Sequence, residues 1–305
     1  MTALRRCLVD YLRTRRGLGF KSKREGELLA QFIAFLDERG ASFVTSAAAV
    51  AWAAQPRDAS PGWWITRLAI VRGFAKYLQT IEPRTQVPSL DHFPHHRARS
   101  APYVYSPADI TTLLSATDTL RSAVKTATYK TLLGLLAVTG MRVGEAVALD
   151  DRDVDRRRAT LVIRNTKFGK SREVPLHATT IGALEGYRRD RDRLVARPGS
   201  ASFFLSTTGK RLIYQNVHEA FLKLVYVAGL GRRRPRPTIH DLRHTFAIQT
   251  VLGWYRDGVD VEARLPLLST YLGHVSPVST YWYLSAVPEL LEAATIRLER
   301  AQVKP

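Results

Sequence analysis

Residues 238–284 limit the fold more than any other stretch of this chain, because they fix three helix boundaries in one short segment. They read TIHDLRHTFAIQ, then LPLLSTYLGH, then SPVSTYWYL. Thr238 followed by Asp241 has the spacing of a capping box and predicts a helix that starts just before His240. On that helix His240 and Arg243, three apart, share a face. Gly273 is placed to close a second, apolar helix and leaves His274 at its exit. Ser276-Pro277 predicts a third short helix, with serine as cap and proline in the first turn. Two histidines, an arginine and the tyrosines of the third helix thus gather at helix ends.

The remainder of the chain reads as mostly helical. Its 305 residues suggest two domains. Residues 3–16, 24–39, 47–54 and 63–79 carry helical patterns, the first two around Gly17-Leu18-Gly19, the third ahead of the break at Pro56–Pro61. Residues 81–102 are basic, non-periodic and punctuated by prolines, as an interdomain linker is. Beyond Tyr103, Ser106-Pro107 starts a helix and Lys125–Thr139 forms an apolar one stopped by Gly140. A short helix follows with Arg142 in its first turn. Leu161–Ile163 and Arg172–Pro175 read as a β-hairpin around the basic tip 167–170. Phe203–Leu205 predicts a further strand, Tyr214–Ala228 a helix, and Glu289–Arg300 a last amphipathic helix.

Charge narrows the class of partner. Lys and Arg number 46 against 27 Asp and Glu, a net charge of +19. The excess is spread out: residues 1–100 hold 16 basic and 8 acidic side chains, and the rest hold 30 and 19. Two domains that both face a polyanion fit this distribution better than one basic tail. The single cysteine, Cys7, excludes an intrachain disulfide and fits a reducing compartment. No apolar run approaches the roughly 20 residues of a membrane span, and the N-terminus lacks the apolar stretch of a signal peptide. The expectation is a soluble cytoplasmic protein with no membrane partner.

Chemistry can be assigned to side chains before any family is named. Arg142 and Arg243 keep their charge and offer forked donors that match two phosphate oxygens. Lys167, on the hairpin tip, is a mobile cation able to donate a proton. His240 and His274 can donate hydrogen bonds or move protons near neutral pH. A tyrosine hydroxyl, with an ordinary pKa of about 10, is a weak nucleophile unless cations lower it. Together these groups can stabilise a pentacoordinate phosphorane while a tyrosine attacks. Singly, each has an ordinary reading: a surface ion pair, a solvated turn lysine, a packed aromatic. His240 and His244 have the i,i+4 spacing of metal ligands, but no HExxH pattern or third ligand accompanies them, and neither metal nor cofactor is expected.

The joint order of these residues is more specific. TGMRVGEAVAL, NTKFGKSREVPLH, TIHDLRHTFA and LGHVSPVSTYWYL resemble the signature boxes of the tyrosine recombinase (phage integrase) family, in the family's order, over residues 103 to 290. The resemblance implies a mainly α fold with a small β-hairpin or sheet. It also implies a two-domain DNA clamp: an N-terminal helical core-binding (SAM-like) domain over 1–85, a linker over 86–102, and a catalytic domain over 103–305 with a C-terminal helix.

Residue roles follow from the same resemblance. Arg142 matches the first catalytic arginine, with Glu145 as its support, and Lys167 the lysine that protonates the leaving 5′-oxygen. His240 and Arg243 match the HxxR pair, and His274 the position that hydrogen-bonds the phosphate. Tyr281 and Tyr283 point roughly 200° apart on a helix, so one of them faces the site; the family's tyrosine follows the LGH histidine by nine residues, which selects Tyr283.

The implied reaction is strand exchange in duplex DNA through a 3′-phosphotyrosyl bond, without metal or ATP. It implies a homo-tetramer on synapsed DNA, with accessory DNA-bending or element-encoded proteins as further partners. The ending TYWYLSAVPELL resembles mobile-element integrases and transposases. A type IB topoisomerase and a non-catalytic DNA-binding regulator are the alternatives.

Overall fold

The computed structural model describes residues 2–94, 101–164, 171–195, 199–274 and 280. The chain divides into two compact units, Met1–Arg99 and Ser100–Pro305.

The first unit is helical: α1 (Ala3–Gly17), α2 (Lys23–Asp37), α3 (Ser46–Ala53) and α4 (Pro61–Gln79). Local chemistry sets the boundaries. The Thr45 side chain caps α3 by accepting from the Ala48 N–H, and Pro61 sits in the first turn of α4, where its missing N–H costs nothing. Leu29, Phe32 and Leu36 of α2 meet Leu68, Val71 and Phe74 of α4 in a core from which water is excluded. Residues 86–93, which the sequence reading places in the linker, pack on this unit. The Gln86 N–H donates to Val44 O (2.8 Å), Val87 and Leu90 pack on the core, and Phe93 is buried in it. Apolar side chains separated by prolines carry no period, so pattern alone misses packing of this kind. Residues 95–100 lie outside the described residues.

The second unit is mainly α with a small sheet. Its helices are α5 (Pro107–Ala116), α6 (Ala123–Thr139), α7 (Val143–Ala148), α8 (Ala178–Leu194), α9 (Tyr214–Val227), α10 (Asp241–Arg256) and α11 (Val261–Leu272). The strands β1 (Val154–Asp155), β2 (Thr160–Ile163) and β3 (Arg172–Pro175) form one antiparallel sheet in that order, with Ile163 opposite Arg172. α5 opens where the sequence predicts a helix start, and the structure shows a capping box there, Ser106 and Asp109 bonding reciprocally. α6 runs between α8 and α10 and buries Leu132, Leu133 and Leu136. Gly140 (φ +60°) and Gly273 (φ +66°) end α6 and α11 in the left-handed region, as the sequence predicts.

Two expectations need correction, and one helix is not read from sequence at all. α8 has no counterpart in the sequence reading. Phe203–Leu205 is not a strand: only Ser202 and Leu205 form isolated bridges, to Asp150 and Arg211, and the phenylalanines are buried by packing on Tyr187. α10 begins after His240 rather than before it. The hairpin tip 167–170, the helix start at Ser276-Pro277 and the helix Glu289–Arg300 lie outside the described residues. Among the described residues no helix is long and apolar enough to cross a membrane.

Candidate active site

The site forms where α6 and α11 end. The last carbonyls of a helix have no partner inside it and carry partial negative charge. Here three successive carbonyls at the end of α11 each accept from a different arginine. Tyr271 O takes Arg172 Nε (2.8 Å), Leu272 O takes Arg243 Nη2 (2.7 Å) and Gly273 O takes Arg142 Nη2 (3.0 Å). Arg243 also donates through Nη1 to Gly140 O (2.8 Å), so one guanidinium bridges the ends of both helices. It is only 2% exposed, and the two helix ends are what make its burial tolerable.

Arg142 lies between Gly140 and α7. The left-handed turn at Gly140 lets the chain reverse there, and two contacts to Glu145 then fix the residue. Its backbone N–H donates to Glu145 Oε2 (3.0 Å) and its Nη1 to Oε1 (2.9 Å). The same carboxylate accepts a fork from Arg172, Nη1 to Oε1 (3.1 Å) and Nη2 to Oε2 (2.8 Å). Burial pushes the Glu145 carboxyl up, but the bonds and charge of Arg172 and Arg142 outweigh it and hold the group below the usual carboxylate range. Glu145 is therefore a buried anion gripped from both sides.

His274 leaves α11 directly after this fan of arginines. Its Nδ1 lies 2.7 Å from Thr280 Oγ1, and Thr280 is buried. Burial first, then the charges of Arg243 and Arg142 with His240 and Arg172 behind them, lower its pKa to about 4. The imidazole is therefore neutral near pH 7. His240 stands exposed at the N-terminus of α10, its ring edge-on to His244 at 4.6 Å. The turn that carries it is held by Asp241, whose Oδ2 accepts from Thr238 N (2.7 Å) and Thr238 Oγ1 (2.8 Å), and by Tyr105, whose hydroxyl donates to Thr238 O (3.0 Å).

Of the six residues singled out in the sequence, Arg142, Arg243 and His274 converge on the end of α11, and His240 is near enough to act on the charge of His274. Lys167 and Tyr283 lie outside the described residues. Arg172 is the residue that sequence reasoning missed. One signal was present: alternation along β3 puts Arg172 on the same face as buried Val174, and an arginine on a core-facing strand position requires an anion. Among the described residues no group of three histidine, cysteine or acidic side chains is arranged to hold a metal.

Comparison with known proteins bears on the same region. Residues 104–289 match the model of the phage integrase family. The chain is 43% identical to "Putative integrase/recombinase y4rB" of Sinorhizobium fredii over 98% of both sequences. It is 34% identical to the tyrosine recombinase XerD of Mycobacterium tuberculosis over 50% of this chain and 46% of that protein. In fold it resembles the Tn1549 transposon integrase solved with transposon right end DNA. The TM-score there is 0.69 at 18% identity, covering 98% of this chain and 99% of the other.

Proposed function

The chain belongs to the phage integrase family and is a tyrosine-type site-specific recombinase, and from that premise we propose that it cleaves and rejoins duplex DNA through Tyr283. The observation that carries the reading is the arginine fan on the last carbonyls of α11. Two of its members, Arg142 and Arg243, stand at the family's phosphate-clamping positions.

In the proposed step the Tyr283 oxygen attacks a phosphodiester, forming a 3′-phosphotyrosyl bond while the bond to the 5′-oxygen breaks. Negative charge grows on the non-bridging oxygens, and Arg142 and Arg243, already fixed on helix ends, meet it without reorganising. Donors of this kind typically supply about 2.7–4 kcal/mol each. His274, neutral near pH 7, contributes a hydrogen bond rather than a charge. His240 accepts the tyrosine proton and Lys167 delivers one to the leaving 5′-oxygen. A 5′-hydroxyl from a partner duplex then reverses the step on a new strand. The phosphotyrosyl bond conserves the energy of the broken diester, so the exchange requires no ATP, and the two guanidiniums supply the charge that a metal would otherwise bring.

The reading extends to the whole assembly. The first unit serves as a core-binding domain, the units clamp duplex DNA, and a homo-tetramer on synapsed DNA carries out exchange at the nucleoid for a mobile element. The +19 charge supports the DNA partner. The test is strand exchange between two duplexes from the DNA flanking the gene, in chelator and without ATP. Recombinant joints are expected. Relaxation of supercoiled plasmid with no joints would replace this reading with a topoisomerase.

A further inference from the structure

We propose that Arg172 is a positioning residue for strand cleavage: it locks Glu145 and the last turn of α11 into the arrangement that presents Arg142 to the phosphate. This rests on the recombinase reading above.

Arg172 directs its guanidinium inward. Nε, Nη1 and Nη2 are each bonded to Tyr271 O or to the two Glu145 oxygens, and the side chain is 13% exposed. The Arg142 side chain, by contrast, is 36% exposed and spends one bond from each terminal nitrogen on Glu145 and Gly273. The inward arginine is thus built to hold and the outward one to bind.

The bonds close a ring. Arg142 and Arg172 both grip Glu145 on α7, and both grip the end of α11, one at Gly273 O and the other at Tyr271 O. A closed ring fixes the separation of α7, β3 and α11, whereas an open chain of the same bonds lets each element pivot. Gly273 shows how tight the fit is. A Cβ there would stand 2.7 Å from Arg172 Nη1 and 3.1 Å from its Cζ, so the guanidinium occupies the space that only glycine leaves. His274 is the next residue, so the hold on this turn reaches a second group of the site.

Charge adds a separate consequence. Arg142 from its own turn and Arg172 from β3 are the charges that keep the buried Glu145 carboxyl ionised against its burial. Without Arg172 the burial is opposed by Arg142 alone, the carboxyl takes up a proton at higher pH, and its bond to Arg142 weakens. Loss of Arg172 therefore imposes an acid limb on cleavage, which loss of mere packing does not.

The experiment measures covalent-complex formation by the full chain on nicked flanking duplexes at saturating DNA, across pH 5 to 9, with affinity taken from gel shifts. Arg172→Gln is expected to bind within about twofold of wild type. It should cleave about 10²-fold more slowly at neutral pH, the loss typical of a misplacement near 1 Å, with the acid limb moved to higher pH. Arg172→Lys keeps the charge but not the fork, and should restore the wild-type limb without restoring the rate.

An Arg172→Gln protein that cleaves at the wild-type rate, or one slowed equally at every pH in step with lost folding or affinity, overturns the inference alone. Should the glutamine variant fail to fold, the lysine variant decides: full rate overturns the inference, and a reduced rate with unchanged affinity and limb supports it. A wild type that binds but never links to DNA overturns the recombinase reading and this inference together.

Discussion

Two glycines, one inside α6 and one just past its end, make opposite predictions for the same substitution. At Gly140→Ala a left-handed backbone (φ +60°) must accept a side chain, which costs about 1–2 kcal/mol. Its Cβ would stand 2.5 Å from Phe246 Cδ1 and 3.2 Å from Leu272 Cδ2, so packed groups must move, at about 1–3 kcal/mol. The smaller entropy of the unfolded alanine chain returns about 0.4–1 kcal/mol. The net is a destabilisation of about 2–4 kcal/mol. Gly134 lies inside the same helix with nothing within 4 Å of a Cβ, so Gly134→Ala should stabilise by about 0.5–1 kcal/mol. Urea unfolding with linear extrapolation compares the two on one scale. The first variant also reaches the site, because Gly140 O is an anchor of Arg243, and Phe246 stacks on Tyr271 at 5.5 Å. Its cleavage should fall even where it stays folded. Equal stability of Gly140→Ala and wild type, or a Gly134→Ala that loses as much as Gly140→Ala, would refute the reasoning.

Other outcomes follow from the same contacts. Arg243→Lys cannot span Gly140 O and Leu272 O with one planar fork, and should lower the cleavage rate about 10²- to 10³-fold in single-turnover assays. Tyr187→Phe removes the hydroxyl that accepts from the Leu205 N–H and contacts Thr128, leaving a buried donor unpaired; chemical denaturation should show a loss of about 1–3 kcal/mol. His274 has a folded pKa of about 4 against an ordinary 6.5, so the unfolded chain binds its proton first. Its contribution is complete above pH 6.5 and is lost as pH falls towards 4. His274→Asn should flatten that part of the stability–pH curve.

Features written in adjacent residues were legible from the sequence. The helix start at Ser106-Pro107, and the helix stops at Gly140 and Gly273, depend on local backbone chemistry and stand where the sequence puts them. α8 was not legible because its buried residues are few, Leu184, Tyr187 and Arg191, and the last is an arginine. Arg191 is tolerated there because Asp192 beside it, Asp151 forty residues earlier and Phe203 O receive it. Phe203–Phe204 reads as a strand because an apolar aromatic run is ambiguous, and tertiary packing rather than a ladder buries it. Within the site, the signature boxes point to Arg142, Arg243 and His274, which meet at the end of α11. The brace behind them, Arg172 on Glu145, joins positions 27 apart that no local pattern connects.

The most direct test of the account is covalent trapping. The full chain is mixed with nicked duplexes from the DNA flanking its gene, in chelator, then denatured and resolved on a gel. A DNA-linked band in wild type and in Tyr281→Phe, absent in Tyr283→Phe, is the predicted result. A band that survives Tyr283→Phe would contradict the assignment of the nucleophile, and with it the mechanism built on that residue.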